Sequence, residues 1–239
     1  KKNFKTIFQQ DTFDYISTNK KGHASKIISR LKKNQYDLLI CVGGDGTISE
    51  VVNGLNIDQH LPIALIPFGT TNVLSYELDI NSNFKKSLKA IKSNSFKKCF
   101  YGIAGKRRFI SMLGIGFDAF VIKNININLK KKFGKLIYFY ESIKALFNYD
   151  YPLFELSLDN KNYRVYSAII SNTKFYAGSY IISEKINIEN KFLYATLFLK
   201  KGFFNTIFFS ILLLIKKIEY SKHIKIIKFS KMKMLTKNI

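Results

Sequence analysis

Asp37-Leu38-Leu39-Ile40-Cys41-Val42-Gly43-Gly44-Asp45-Gly46-Thr47 runs from a short apolar strand into a loop of three glycines, one carboxylate and one hydroxyl. Glycine has no Cβ, accepts positive φ, and lets backbone N–H groups come close to an anion. A helix starting just afterwards adds the positive end of its dipole. The combination has the chemistry of a phosphate site. Gly-Gly-Asp-Gly alone is equally a tight strand-to-helix turn. The loop lacks the Gly-Lys-Ser/Thr ending of a P-loop, and its spacing is not the dinucleotide fingerprint.

The flanking sequence separates these readings. Ser49 to Leu55 reads as a helix with a glycine stop, and Leu61-Pro62-Ile63-Ala64-Leu65-Ile66-Pro67 as a second buried strand. That strand empties into Phe68-Gly69-Thr70-Thr71-Asn72, a second small polar turn before a helix. Two such turns at the carboxyl ends of adjacent strands lie where open α/β sheets bind ligands.

Gly-Gly-Asp-Gly-Thr-x-x-Glu-Val-Val-Asn-Gly followed by Ile-Pro-x-Gly-Thr-x-Asn resembles the diacylglycerol kinase catalytic domain family, which includes bacterial lipid kinases and sphingosine kinases. Upstream, Ser17-Thr18 before Gly22-His23-Ala24 looks like the family's Thr ahead of a Gly-x-Ala helix start. Downstream, Leu113-Gly114-Ile115-Gly116-Phe117-Asp118-Ala119 looks like its Gly-x-Gly-x-Asp-Ala segment. The motifs are strong in the first third and diffuse after it.

The chain of 239 residues is long enough for two domains. Strand and helix patterns alternate through residues 1–95: residues 14–18 as strand, 24–34 as helix, the two strand-and-loop units, and a closing helix at 87–92. The expected fold is α/β: a Rossmann-like parallel-sheet domain over 1–95, then an antiparallel β-sandwich over 96–239; the resemblance implies that the first binds the nucleotide and the second takes the lipid. In the second part residues 108–112, 154–158, 163–171 and 193–199 read as strands, and 133–147 as an inserted helix. The resemblance implies a first strand and phosphate loop ahead of the segment 1–10, itself expected as a helix. It also implies a late Asp-Gly-Glu; the sequence opens on Lys1 rather than Met and carries no such tripeptide, so it reads as a fragment.

A net charge of +23, from 39 Lys and Arg against 16 Asp and Glu, suits an anionic membrane surface, although abundant Lys, Asn, Ile and Phe also look like compositional drift. No zinc, helix-turn-helix or ribonucleoprotein signature accompanies the charge, so specific nucleic-acid binding is not expected. Two cysteines, Cys41 and Cys99, make no disulfide framework, and no signal peptide is read; a cytoplasmic protein, peripherally attached to the inner face of the membrane, is expected. Residues 203–215 are the most apolar run, flanked by Lys200-Lys201 and Lys216-Lys217. The run is too short to span a bilayer and reads as a core helix or an interfacial one.

The resemblance implies an ATP-dependent kinase acting with Mg²⁺ on a membrane lipid hydroxyl, such as that of diacylglycerol or a sphingoid base. Its nucleotide site would comprise Thr18, Gly43, Gly44, Asp45, Gly46, Thr47, Glu50, Thr70 and Asn72. Asp45 is the candidate catalytic residue, because a carboxylate repels phosphate but binds Mg²⁺ or accepts the hydroxyl's proton. Glu50 fits equally as a helix-stabilising acid. Asp118 matches a lipid-contacting position of the sphingosine kinases and is otherwise a loop residue. Asn190 stands where bacterial members carry an Asp that helps hold a structural Mg²⁺, and a neutral amide weakens that metal site. His23 and His60 lack metal partners at useful spacing and read as surface or cap residues. The rival readings are an NAD kinase-like enzyme, which shares the Gly-Gly-Asp-Gly-Thr loop, and a non-catalytic membrane-docking relative.

Overall fold

The computed structural model describes residues 12–56, 58, 60–81, 83–126, 129 and 132–235; the expected helix at 1–10 lies outside them. The first half is built on two parallel strands, β1 (Leu39–Gly43) and β2 (Ile63–Pro67). Their register pairs Leu39 with Ile63 and Gly43 with Pro67, so both strands end at the same level. The ladder reaches one step further, Phe68 N donating to Gly43 O at 2.8 Å.

Helices α1 (His23–Ile28) and α2 (Asp45–Gly54) pack on each other, with Ile48, Val51 and Val52 giving α2 its buried stripe. A Cβ on Gly54 would stand 2.5 Å from Ser25 O, so the crossing needs glycine there. Helices α3 (Val73–Glu77) and α4 (Phe84–Lys92) follow β2, the Asn83 side chain capping α4 through Lys86 N. Ala24, Ile28, Cys41, Ile48, Leu65 and Leu74 make the core of this half, and Ile188 joins it from far along the chain.

The second half is antiparallel. The hairpin β3 (Gly102–Ala104) and β4 (Arg107–Phe109) leads into β5 (Met112–Ile115), then come α5 (Phe117–Asn124) and α6 (Leu136–Asn148). A sheet of β6 (Phe154–Leu158), β7 (Lys161–Val165) and β13 (Met232–Leu235) faces a larger sheet. That one is ordered β12 (Ile224–Phe229), β11 (Leu193–Phe198), β8 (Ser167–Ser171), β5. Leu156, Leu158 and Val165 from the first meet Ala168, Ile170, Ala195 and Leu197 from the second, a sandwich core as expected. The opposite face of β8 carries Ile169 against Ile182 and Ile186, from the stretch around the short hairpin β9 (Phe175–Tyr176) and β10 (Tyr180–Ile181). Helix α7 (Phe203–Leu214) lays Phe209 against Ile218 and Ile224.

Several elements differ from the sequence reading. Residues 14–18 form no strand: Tyr15 and Ile16 are exposed, and none of the described strands pairs with the segment, which leaves it without the ladder a strand needs. Helix α1 stops at Ile28 rather than residue 34. The expected strand at 108–112 is two strands broken at Ile110-Ser111, because the buried Asn172 takes that stretch's backbone groups. Its Nδ2 donates to Ile110 O (2.8 Å) and Phe100 O (2.6 Å), while its N–H donates to Ser111 O. The run at 163–171 likewise splits at Tyr166, where the chain passes from one sheet to the other.

Asn172→Ala would strand both carbonyls, and an unsatisfied buried acceptor costs about 1–3 kcal/mol. A loss of that size is expected in denaturant unfolding; a variant as stable as wild type would show that the break at residues 110–111 has another cause.

Candidate active site: two loops at the ends of parallel strands

The loops after β1 and β2 touch through glycine. A Cβ on Gly69 would lie 2.5 Å from Gly44 Cα, and one on Gly44 would lie 2.9 Å from Gly69 Cα. Gly43 is blocked in the same way by the Thr47 side chain, 2.6 Å from its Cβ position. Gly44 has φ −101°, and none of Gly43, Gly44, Gly46 and Gly69 is among the residues with positive φ. Gly43, Gly44 and Gly69 are therefore needed for close packing and not for the positive φ that glycine also permits.

Asn72 fixes the second loop. It is buried, adopts φ +47°, accepts a hydrogen bond from Gly69 N at 2.8 Å and donates from Nδ2 to Gly69 O at 2.8 Å. Asn tolerates the left-handed region better than other non-glycine residues, and its amide closes the turn as a backbone group would. Asp45, the first residue of α2, ties the loops together: its Oδ2 accepts from Thr71 Oγ1 at 2.9 Å and its Oδ1 from Leu74 N at 3.4 Å. Gly44 caps α2 without a side chain; Thr47 N already donates to Gly44 O at 3.0 Å, which leaves the N–H groups of Asp45 and Gly46 to meet an incoming acceptor, and a Cβ at Gly46 would meet open space. A phosphate fits this cradle. Phosphate-bound magnesium is usually held through one carboxylate plus substrate oxygens, and Asp45 is the carboxylate present here, its two oxygens accepting from Thr71 and Leu74.

Thr47, Thr70 and Asn72 thus stand with the glycines and Asp45. Glu50 does not face the loops; its carboxylate accepts from Gly22 N (2.7 Å) and Ala24 N (3.1 Å), capping α1 in place of the side chain that Gly22 lacks. Thr18 is exposed in the extended segment before α1. Asn190 lies exposed in a turn, its N–H bonded to Asn187 O, and the neighbouring Glu189 pairs with Lys97 at 3.5 Å. Among the described residues no three His, Cys, Asp or Glu side chains cluster as a metal site.

Asp118 opens α5, where Gly116 with φ +82° turns the chain. It accepts a short hydrogen bond from Tyr176 Oη. Desolvation raises the Asp118 carboxyl above the usual range, and the tyrosine bond offsets part of that rise; burial likewise holds the Tyr176 phenol well above its usual range. Tyr176 brings Asp118 toward the loops, since the same hairpin turn places Gly178 beside both Thr71 O and Lys135 Nζ, at 3.5 and 3.3 Å from its Cβ position. Glu77, at the end of α3, accepts from Lys174 N and Ile188 N and so joins the halves. Cys41 offers no thiol chemistry, because burial pushes it to about 11. Thr71 was readable as a polar loop residue; Tyr176 and Lys135 carried no sequence signal, being remote in the chain.

Residues 2–102 match the family described as Diacylglycerol kinase catalytic domain. The matched segment is under half of the chain, and within it the chain is similar to that family. A Streptococcus pneumoniae protein named "Putative lipid kinase" is 28% identical over 196 residues, covering 80% of this chain and 66% of its own. A Staphylococcus aureus protein of the same description is 30% identical over 167 residues, covering 67% of this chain and 55% of its own. The chain thus spans less than two thirds of these relatives. A Bacillus anthracis structure described as a putative diacylglycerol kinase superposes with TM-score 0.76 over 92% of this chain and 73% of its own, at 24% identity. A second, described as a diacylglycerol kinase, gives 0.71 over 92% and 74%, at 23%. These two establish the shared fold.

Gly69→Ala is expected to destabilise by about 1–3 kcal/mol, the cost of overpacking a close contact. Gly46→Ala, with open space and a helical backbone, is expected to be neutral or to stabilise by up to about 1 kcal/mol. Unfolding midpoints measured together test this; equal effects at the two positions would contradict the glycine contact.

Proposed function

We propose that this chain is the catalytic part of an ATP-dependent lipid kinase, transferring a phosphoryl group to the hydroxyl of a membrane lipid such as diacylglycerol. The observation that carries the reading is the single carboxylate, Asp45, held between two phosphate-friendly loops by Thr71 and Leu74. The similarity of residues 2–102 to the diacylglycerol kinase catalytic domain, and of the chain to relatives that bear the name lipid kinase, supports the acceptor class. No observation favours NAD as acceptor.

Phosphoryl transfer is mostly positioning and charge neutralisation. The first-turn N–H groups of α2 and the Thr47 hydroxyl would donate to the phosphates, and Thr70 would clamp them from the second loop. Magnesium, when bound, supplies the positive charge that lets a carboxylate stand beside phosphate. Asp45 orients that ion or accepts the proton of the attacking hydroxyl at its carboxylate. Asp118, held by Tyr176 on the second half, would face the lipid head group. Among the described residues no helix is long and apolar enough to cross a membrane. The lipid would be met from the membrane surface.

Asp45→Asn keeps an acceptor for Thr71 and so the fold, but removes the charge. Incubation with labelled ATP and diacylglycerol is expected to show a loss of about 100-fold or more in phosphorylated lipid. Full activity in the variant would remove Asp45 from the chemistry, and no ATP binding by wild type would favour a non-catalytic docking module.

A further inference from the structure

Helix α6 presents an apolar stripe to the outside. Leu136, Phe139, Ile143 and Phe147 recur at helical spacing and are exposed, Phe139 at 68% and Phe147 at 72%, while Ile137, Glu141 and Ala145 face inward. A stripe of this kind ordinarily faces a core. Helix α7 repeats the pattern: Phe204 (83% exposed), Phe208 and Ile211 lie outward, opposite the buried Phe209. The end of α6 meets the start of α7 through the Phe147 and Phe203 rings, 5.1 Å apart, so the two stripes adjoin.

The charge around them has one dominant sign. Lys135 and Lys144 border the first stripe; Lys200, Lys201, Lys216 and Lys217 bracket the second, and all six are exposed. The only acidic side chain within either helix is Glu141, which is buried; the exposed Asp150 lies just past α6. An apolar face rimmed by lysines on helices too short to span a bilayer fits the interface of an anionic membrane, with rings among the acyl chains and ammonium groups at the phosphates. The start of α6 also abuts the phosphate loops, since a Cβ at Gly134 would lie 3.9 Å from Thr70 Cγ2.

We infer that the outward faces of α6 and α7 form one docking surface that seats the protein on anionic membranes with its candidate site against the lipid layer. The surface follows from the helices themselves; only its purpose rests on the lipid-kinase reading.

The test is sedimentation of the full chain with vesicles of phosphatidylglycerol and phosphatidylcholine, and with phosphatidylcholine alone. Wild type is expected on the anionic vesicles, with binding weakened by salt. The pair Phe139→Ser, Phe147→Ser and the pair Phe204→Ser, Phe208→Ser should each lower binding by about tenfold or more at unchanged melting temperature. Lys200, Lys201, Lys216 and Lys217 changed to Gln should erase the preference for anionic vesicles while leaving the apolar faces intact. Phosphorylation of a short-chain, water-soluble diacylglycerol should be unaffected in the serine variants, which separates failure of docking from failure of the kinase reading. Vesicle binding equal to wild type in both serine variants would overturn the inference. A wild-type dimer that these variants convert to monomer, with no vesicle binding at all, would overturn it too and assign the face to a second copy.

Discussion

Two backbones meet at Gly44 and Gly69 at a distance that no side chain permits, and the candidate site is arranged around that contact. Parallel pairing of β1 with β2 in a register that ends both strands together brings the loops to one level. Glycine then lets them touch, Asn72 closes the second loop on itself, and Asp45 reaches from the first loop to Thr71 in the second and to Leu74 at the start of α3. Each part requires the one before it. Without the strand register the glycines would not meet, and without the glycines Asp45 would not span the gap.

The second half is fastened to this arrangement at several points. Ile188 enters the first core, Glu77 receives N–H groups from Lys174 and Ile188, and Tyr76 packs against Phe175 with centroids 5.7 Å apart. The hairpin carrying Phe175 and Tyr176 therefore approaches the loops from the other side, bringing Asp118 with it. Burial raises the Asp118 carboxyl above the usual range, and the hydrogen bond from Tyr176 offsets part of that rise.

Much of this was legible in the sequence because it is local. The apolar runs at β1 and β2, the polar turns after them and the antiparallel second half all follow from short-range patterns. What was not legible depends on partners distant in sequence. Residues 14–18 have a strand's composition but no neighbour to pair with among the described residues. The break at residues 110–111 is set by Asn172, some sixty positions away. Glu50 sits in the family's motif, yet its carboxylate caps α1, a use that no spacing rule distinguishes from ligand binding. The sequence offered both positive φ and close approach as reasons for the loop glycines, and only the folded contact between Gly44 and Gly69 reveals that close approach is the property in use there.

The central claim is that the two loops form one phosphate site. Backbone amide chemical shifts followed by NMR during titration with ATP and magnesium test it most directly. The account predicts that the amides of Gly44, Gly46 and Thr47 shift together with those of Thr70 and Thr71, along one saturating curve. Movement of only one loop, or shifts confined to another part of the molecule, would contradict it.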